Sequence, residues 1–360
     1  MSSLLRAIAP AALDVGAKRI RWPAPECLCI AHRADTIVAW MVVFDGIRHR
    51  QDLPDGDASV WGRMAFARIR LSGRKTMTKQ SLLSTEEAHA KRTQLIEDGF
   101  CIVPGVLQGD PLARLQAFCD TFLDEHTVDR RFRYQGSDFH IMTEEAWAAA
   151  PDERRYHAPI VAETLYLPEA HAACELVGLE GMTSSGSMIL LSKPPHGPPL
   201  YWHQDATYWN HPKAALPWPS RVFLSYYMVD TTRENGCLRV IPGTHRRRID
   251  LHDELPRAHS PEIQQVDETH FAFNEQPGEI DVPCKAGDLV IADGRMLHAA
   301  WPNKTDKRRS LVLQWWDVFP FPSVPTWWEG DIPDEINADP DADYEGSRSP
   351  GKYLKAAQES

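Results

Sequence analysis

From Ser187 onward the chain breaks into short apolar runs separated by turn residues, and this pattern limits what it can fold into. Met188-Ile189-Leu190-Leu191, Val222 to Val229, Cys237 to Ile241, Asp288 to Ala292 and Leu311 to Trp316 each suit one strand. Many short strands with Gly and Pro turns between them predict a mainly β fold, a sandwich or jelly roll, rather than a helical bundle. Glu234-Asn235-Gly236 separates two of the runs. Asn-Gly is the strongest short hairpin signal, so a hairpin is expected there. Twelve Trp and 28 Pro point to the same loop-rich architecture.

The segment before these strands has a helical opening. Ser84-Thr85-Glu86-Glu87 reads as a capping box, in which the Ser84 hydroxyl and the Glu87 carboxylate satisfy orphan N–H groups reciprocally. Gly99 suits the stop, and Phe100 to Val103 suits a buried strand before a Pro104-Gly105 turn. A second helix is expected from Asp110-Pro111, with Leu112, Leu115, Phe118, Cys119 and Phe122 on its apolar face. Glu144 to Ala150 and Glu169 to Leu179 also read as helical, and Tyr134 to Ile141 as loop or short strand.

Residues 1–76 differ in character and are expected to be a poorly ordered N-terminal extension. They hold 12 Lys/Arg against 7 Asp/Glu, while the whole chain carries −11. The domain is expected over 77–329, followed by an acidic tail over 330–360. A body this acidic is a poor general binder of nucleic acid. The longest uncharged apolar run, Ile37 to Phe44, falls far short of the ~20 residues of a membrane span. Seven cysteines at irregular spacing, with no evident secretory signal, suit reduced thiols. The expected location is intracellular, in the cytoplasm, with organelle targeting by the N-terminal extension left open.

His203-Gln204-Asp205 sits in one of the expected strands, Trp202 to Tyr208. Residues i and i+2 of a strand share a face, so His203 and Asp205 can reach one metal ion while Gln204 points elsewhere or bends in at the strand end. Two imidazoles and one carboxylate fill one face of an octahedral Fe(II) and leave the other open. The third ligand must come from a distant segment. His298 fits, following a strand and turn from Gly287 to Gly294. A lone His-x-Asp is commonplace in a chain with 15 His. The weight lies in its combination with an aromatic context, the Asn-Gly turn, the Gly-Asp strand and Arg308-Arg309-Ser310. An arginine on that last strand can hold the far carboxylate of a 2-keto acid through two charge-assisted hydrogen bonds. Strand alternation lets only one of Arg308 and Arg309 face inward. Arg308 is slightly favoured, because Ser310 would then bring a hydroxyl to the same ligand.

These segments resemble the phytanoyl-CoA dioxygenase family of 2-oxoglutarate oxygenases. The resemblance is carried by Lys193-Pro194-Pro195, Trp202 to Trp209, Glu234 to His245, and Gly287-Asp288 through His298 to Arg308-Arg309-Ser310. Glu97 to Phe100 and Val103 to Leu107 match as well. It covers roughly residues 82–320. It implies a double-stranded β-helix with flanking helices, metal ligands His203, Asp205 and His298, and a cosubstrate pocket to which Gln204 and Trp209 contribute. The family's Arg-x-Ser pattern selects Arg308, whereas its usual spacing from the second histidine selects Arg309. Ser225 and Ala300 stand where family members can have Trp and a hydroxyl residue.

The cofactor set implied is Fe(II), 2-oxoglutarate and O2, with ascorbate an optional addition. The reaction implied is oxidative decarboxylation of 2-oxoglutarate to succinate and CO2, coupled to hydroxylation of a small-molecule substrate. Asp205 separates the chain from halogenases of the superfamily, which carry a small residue there. The rival readings are a non-catalytic jelly-roll binding protein and a cupin enzyme using another metal, which would need neither Arg308 nor Arg309. Lys193, Tyr201, Trp202 and Tyr208 are candidates for the substrate pocket, as are the Trp315-Trp316 and Trp327-Trp328 pairs. Arg246-Arg247-Arg248 suits either an acyl-CoA phosphate or a solvated strand end.

Overall fold

The computed structural model describes residues 28–33, 36–42, 66–70, 82–126, 138–143, 155–157, 160–206, 211–258, 260–264, 266–342 and 344. The chain divides into two units, residues 1–80 and 81–360. In the first, β1 (Leu28–Arg33), β2 (Thr36–Val42) and β3 (Phe66–Arg70) form an antiparallel sheet in sequence order. The segment expected to be a poorly ordered extension therefore contains three strands.

The second unit contains β4 (Phe100–Val103), β5 (Asp138–Thr143), β6 (Arg155–His157), β7 (Thr183–Lys193) and β8 (Leu200–His203). There follow β9 (Arg221–Tyr227), β10 (Leu238–Val240), β11 (Ile280–Val282), β12 (Leu289–Asp293), β13 (His298–Ala300) and β14 (Arg309–Asp317). Seven form a large sheet in the order β4-β12-β9-β14-β7-β5-β6, and four a small one in the order β11-β10-β13-β8. Phe223, Tyr227, Val290 and Leu311 of the large sheet pack with Leu238, Val240 and Val282 of the small one. The product is a double-stranded β-helix, a jelly roll closed by an apolar interior.

Helices cover the outer face of the large sheet. The helix Thr85–Asp98 begins at Ser84 with the capping box in place: Glu87 N–H donates to Ser84 Oγ, and Ser84 N–H to Glu87 Oε2 at 2.8 Å. It stops at Gly99, whose φ of 90° is the left-handed conformation glycine adopts freely. The helix Gly109–Glu125 buries Leu115, Cys119, Phe122 and Leu123; the spacing does not single out Leu123, and Leu112 and Phe118, which it does, are only partly buried. Helix Pro168–Val177 completes the layer, and all three share one core with Leu190, Val312 and Trp316 of the sheet. The expected Glu144–Ala150 helix lies outside the described residues.

The hairpin expected at Asn235-Gly236 does not form. β9 belongs to the large sheet and β10 to the small one, so the connection turns a corner between sheets. Arg233–Asn235 is a single 3-10 turn, capped by Thr232 and closed by Gly236 at φ 90°. Interior burial overrides the local turn preference: pairing β10 with β11 and β13 closes the apolar interior. Glycine is required at 236 for a second reason, since a Cβ there would lie 2.7 Å from the Trp301 carbonyl and 2.8 Å from Lys193 Cδ.

Candidate active site

β14 shows how the large sheet presents the site. Its alternate residues Arg309, Leu311, Leu313 and Trp315 line a cavity of about 280 Å³, while Val312 and Trp316 pack outward against the helices. β9 contributes Arg221, Phe223, Ser225 and Tyr227 at the same period, and β7 contributes Ile189, Leu191 and Lys193. The small sheet supplies the opposite wall with Leu200, His203, Leu238, His298 and Ala300.

His203 and His298 are register partners on β8 and β13, with rings 4.1 Å apart. Asp205 joins them, with donor atoms of all three within 4.8 Å of one another. It arrives by a different route from the one its spacing suggested. β8 ends at His203, and Asp205 lies on the following bend, where its N–H and that of Ala206 both donate to the Gly294 carbonyl. Gln204 Nε2 donates to the Arg295 carbonyl. The turn between β12 and β13 thus pins the bend that carries the carboxylate.

That turn is itself fixed. Arg295 is fully buried and pairs with Asp293 at 2.6 Å, also fully buried. Its remaining N–H groups donate to the carbonyls of Ala214, Leu216 and Trp218. Burial alone would raise the Asp293 carboxyl, but the Arg295 guanidinium outweighs it and holds the group below its ordinary value.

The donor set fits a divalent metal. Nδ1 of His203 lies 3.0 Å from the Tyr201 carbonyl oxygen, and Nδ1 of His298 lies 3.0 Å from that of Met296. A carbonyl only accepts, so each Nδ1 carries the proton and each Nε2 presents its lone pair. Those Nε2 atoms are 3.5 and 3.8 Å from the two Asp205 oxygens. Burial, then the neighbouring His203, pushes the His298 pKa down to about 4, so the ring is neutral at pH 7, as ligation requires.

At another part of the cavity Lys193 and Arg309 are register partners, both buried. Lys193 Nζ donates to the Pro198 carbonyl at 2.7 Å, and Arg309 donates to the Gly236 carbonyl at 2.7 Å. Arg309 Nε has no hydrogen-bond partner among the described residues. Burial, then the Arg309 charge, pushes the Lys193 ammonium well below its ordinary pKa. A buried guanidinium with a donor unused among the described residues, beside a buried amine, fits an anionic ligand.

Of the two adjacent arginines, Arg309 lines the cavity and Arg308 does not. That side chain points out of the sandwich and forms ion pairs with Asp120 and Asp124. Ser310 is buried but not among the residues lining the cavity, and neither is Gln204. Trp209 and Tyr208 lie outside the described residues. Tyr201 and Trp202 pack behind the small sheet, where Trp202 donates to the Asn274 carbonyl. Arg248 pairs with Asp253 at the surface, and Arg246 donates to the Ile96 carbonyl. Arg221, Phe223 and Tyr227 escaped the sequence reading, although the period-two pattern along β9 carries them.

The double-stranded β-helix and the His203, Asp205 and His298 triad fit the Fe(II)- and 2-oxoglutarate-dependent dioxygenases, and the sequence match to one of their families places the chain among them. Within that class, this chain belongs to the phytanoyl-CoA dioxygenase family, whose sequence profile matches residues 95–311. It is 25% identical to an ectoine dioxygenase of Bordetella parapertussis, over 60% of this chain and 70% of that protein. It is 26% identical to phytanoyl-CoA dioxygenase domain-containing protein 1 of Mus musculus, over 56% and 69%. Among solved structures, it is similar to the epimerase SnoN in complex with Fe3+, alpha ketoglutarate and nogalamycin RO, at 20% identity and a TM-score of 0.46, over 74% of this chain and 96% of that one. Five of the cysteines, Cys101, Cys119, Cys174, Cys237 and Cys284, are buried free thiols. No helix among the described residues is long and apolar enough to cross a membrane.

Proposed function

We propose that the protein hydroxylates a small organic substrate, a fatty acyl compound or a specialised metabolite, with release of succinate and CO2 from 2-oxoglutarate. The observation that carries this reading is the buried Arg309, whose Nε lacks a partner among the described residues and which lines the same cavity as the triad. A metal site alone serves many chemistries; a buried cation in its cavity is what a dicarboxylate cosubstrate needs.

His203, Asp205 and His298 would hold Fe(II), leaving open positions for the keto acid and O2. Iron bound there supplies the oxidising chemistry, at the expense of 2-oxoglutarate. Arg309 takes the far carboxylate of the cosubstrate, with the Lys193 amine beside it. Leu191, Leu311 and Leu313 keep water from that end and strengthen the ion pairing. Phe223 and Trp315 offer apolar faces to the substrate. The cavity is small for a ligand site, which suits 2-oxoglutarate plus the reacting end of a second molecule. Asp205 occupies the position a halide would need, so hydroxylation is the expected outcome; a chloride-dependent product would overturn it.

Anaerobic titration with Fe(II), with and without 2-oxoglutarate, tests the reading. A visible charge-transfer band saturating near one iron per chain, and absent from His203→Ala, is expected. Folded protein with no band would sink it.

A further inference from the structure

We propose that Trp315 is a positioning residue of the metal centre, which fixes the orientation of the Asp205 carboxylate. The inference rests on the metal-site reading above and adds a residue to it. Trp315 Nε1 donates to Asp205 Oδ2 at 3.3 Å. The two residues come from opposite sides of the sandwich: Trp315 from β14 of the large sheet, Asp205 from the bend beyond β8 of the small one. Trp315 is the register partner of Phe223, whose ring lies 5.2 Å from that of His298. The indole therefore stands on the rung of the large sheet that faces the triad.

The need for such a donor follows from where Asp205 sits. Its backbone is held by Gly294, and the last torsion of its side chain is the one that a bond from the Trp315 indole to Oδ2 fixes. Either oxygen of a carboxylate, or both, can bind a metal. Two-oxygen binding would take a position that the cosubstrate or O2 requires. The indole N–H engages Oδ2, the oxygen 3.8 Å from His298 Nε2, and so distinguishes it from Oδ1, 3.5 Å from His203 Nε2. Outer partners of this kind typically change metal affinity about 10- to 100-fold when removed.

The neighbouring residue supplies an internal control. Trp316 is buried on the other face of β14, where its indole donates to Gln314 Oε1 at 3.1 Å, away from the cavity. Trp315→Phe and Trp316→Phe thus each delete one indole N–H from the same strand, and only the first deletion touches the metal centre.

The test loads full-length protein anaerobically with Fe(II), and separately with Co(II), without cosubstrate. Fe(II) affinity is read by competition with a chromophoric chelator, and carboxylate binding mode by the visible bands of Co(II). Trp315→Phe is expected to weaken Fe(II) binding about 10-fold and to alter the position and intensity of the Co(II) bands. Trp316→Phe is expected to leave both as in the wild type. Cooperative thermal unfolding checks the fold of each variant. Should Trp315→Phe not fold, site-specific replacement of Trp315 by β-(3-benzothienyl)alanine exchanges N–H for sulfur in a ring of the same shape. Wild-type affinity and spectrum in a folded Trp315 variant would overturn the proposal, as would an equal change in Trp316→Phe. Wild-type protein that binds no Fe(II) would instead sink the metal-site reading itself.

Discussion

Arg308 and Arg309 are adjacent, chemically identical and opposite in fate. One is 30% exposed and paired with two aspartates; the other is 4% exposed and lines the cavity. Replacing Arg309 with Ala leaves a carboxylate in a low-dielectric site without its partner, and removing such a partner costs at least about 2 kcal/mol. We therefore expect the 2-oxoglutarate dissociation constant to rise about 30-fold or more in Arg309→Ala, read from the charge-transfer band at saturating Fe(II). Arg308→Ala should leave that constant unchanged and affect stability by less than about 1 kcal/mol, as exposed ion pairs do. Equal losses in the two variants would show that the cavity does not take the cosubstrate at Arg309.

At the scale of elements, the turn from Asp293 to Arg295 links the strand ends that carry the triad. Breaking its buried ion pair leaves an uncompensated charge, at a cost of about 3–5 kcal/mol. Asp293→Ala should lower the unfolding free energy by that amount, measured by urea denaturation, and weaken Fe(II) binding with it. Loss of stability alone would separate the turn from the metal site. A second buried group ties the connection after β10 to the first helix: His245 Nε2 lies 2.9 Å from the Ile96 carbonyl. Burial pushes its pKa down to about 4. The unfolded chain, with an ordinary histidine, binds the proton first, so stability falls as pH drops from about 6.5 to 4. His245 alone accounts for on the order of 3 kcal/mol of that fall. His245→Gln should be less stable at pH 7 but flatter over this range, and an unchanged slope would refute the assignment.

The whole molecule has two units, and the family match begins at residue 95, inside the second. Metal binding should therefore stabilise the oxygenase domain as a body, because the triad draws on segments nearly 100 residues apart in sequence that are assembled only on folding. At a free Fe(II) concentration 100 times its dissociation constant, linkage gives about 2.7 kcal/mol. For a domain of this size that corresponds to roughly 5–10 °C in Tm, measured by anaerobic calorimetry. His203→Ala should abolish the shift. A shift that survives the substitution would place the stabilising ion elsewhere.

The sequence by itself determined the donor set, the strand-rich class and the helix caps. These rest on residue chemistry or on short-range geometry: a capping box spans four residues, and period-two alternation needs one strand. It also offered two adjacent arginines for the proposed cosubstrate cation. Tertiary structure decided the rest. Which arginine faces inward depends on the pairing of β14 with β7 and β9, a register that no local pattern encodes. The Asn-Gly signal is genuine local chemistry, yet β10 crosses to the other sheet because that closes the apolar interior. Asp205 reaches His203 through hydrogen bonds to Gly294, a residue 89 positions away, and not through the pleat of its own strand. The indole of Trp315 meets that carboxylate only because the two sheets fold face to face.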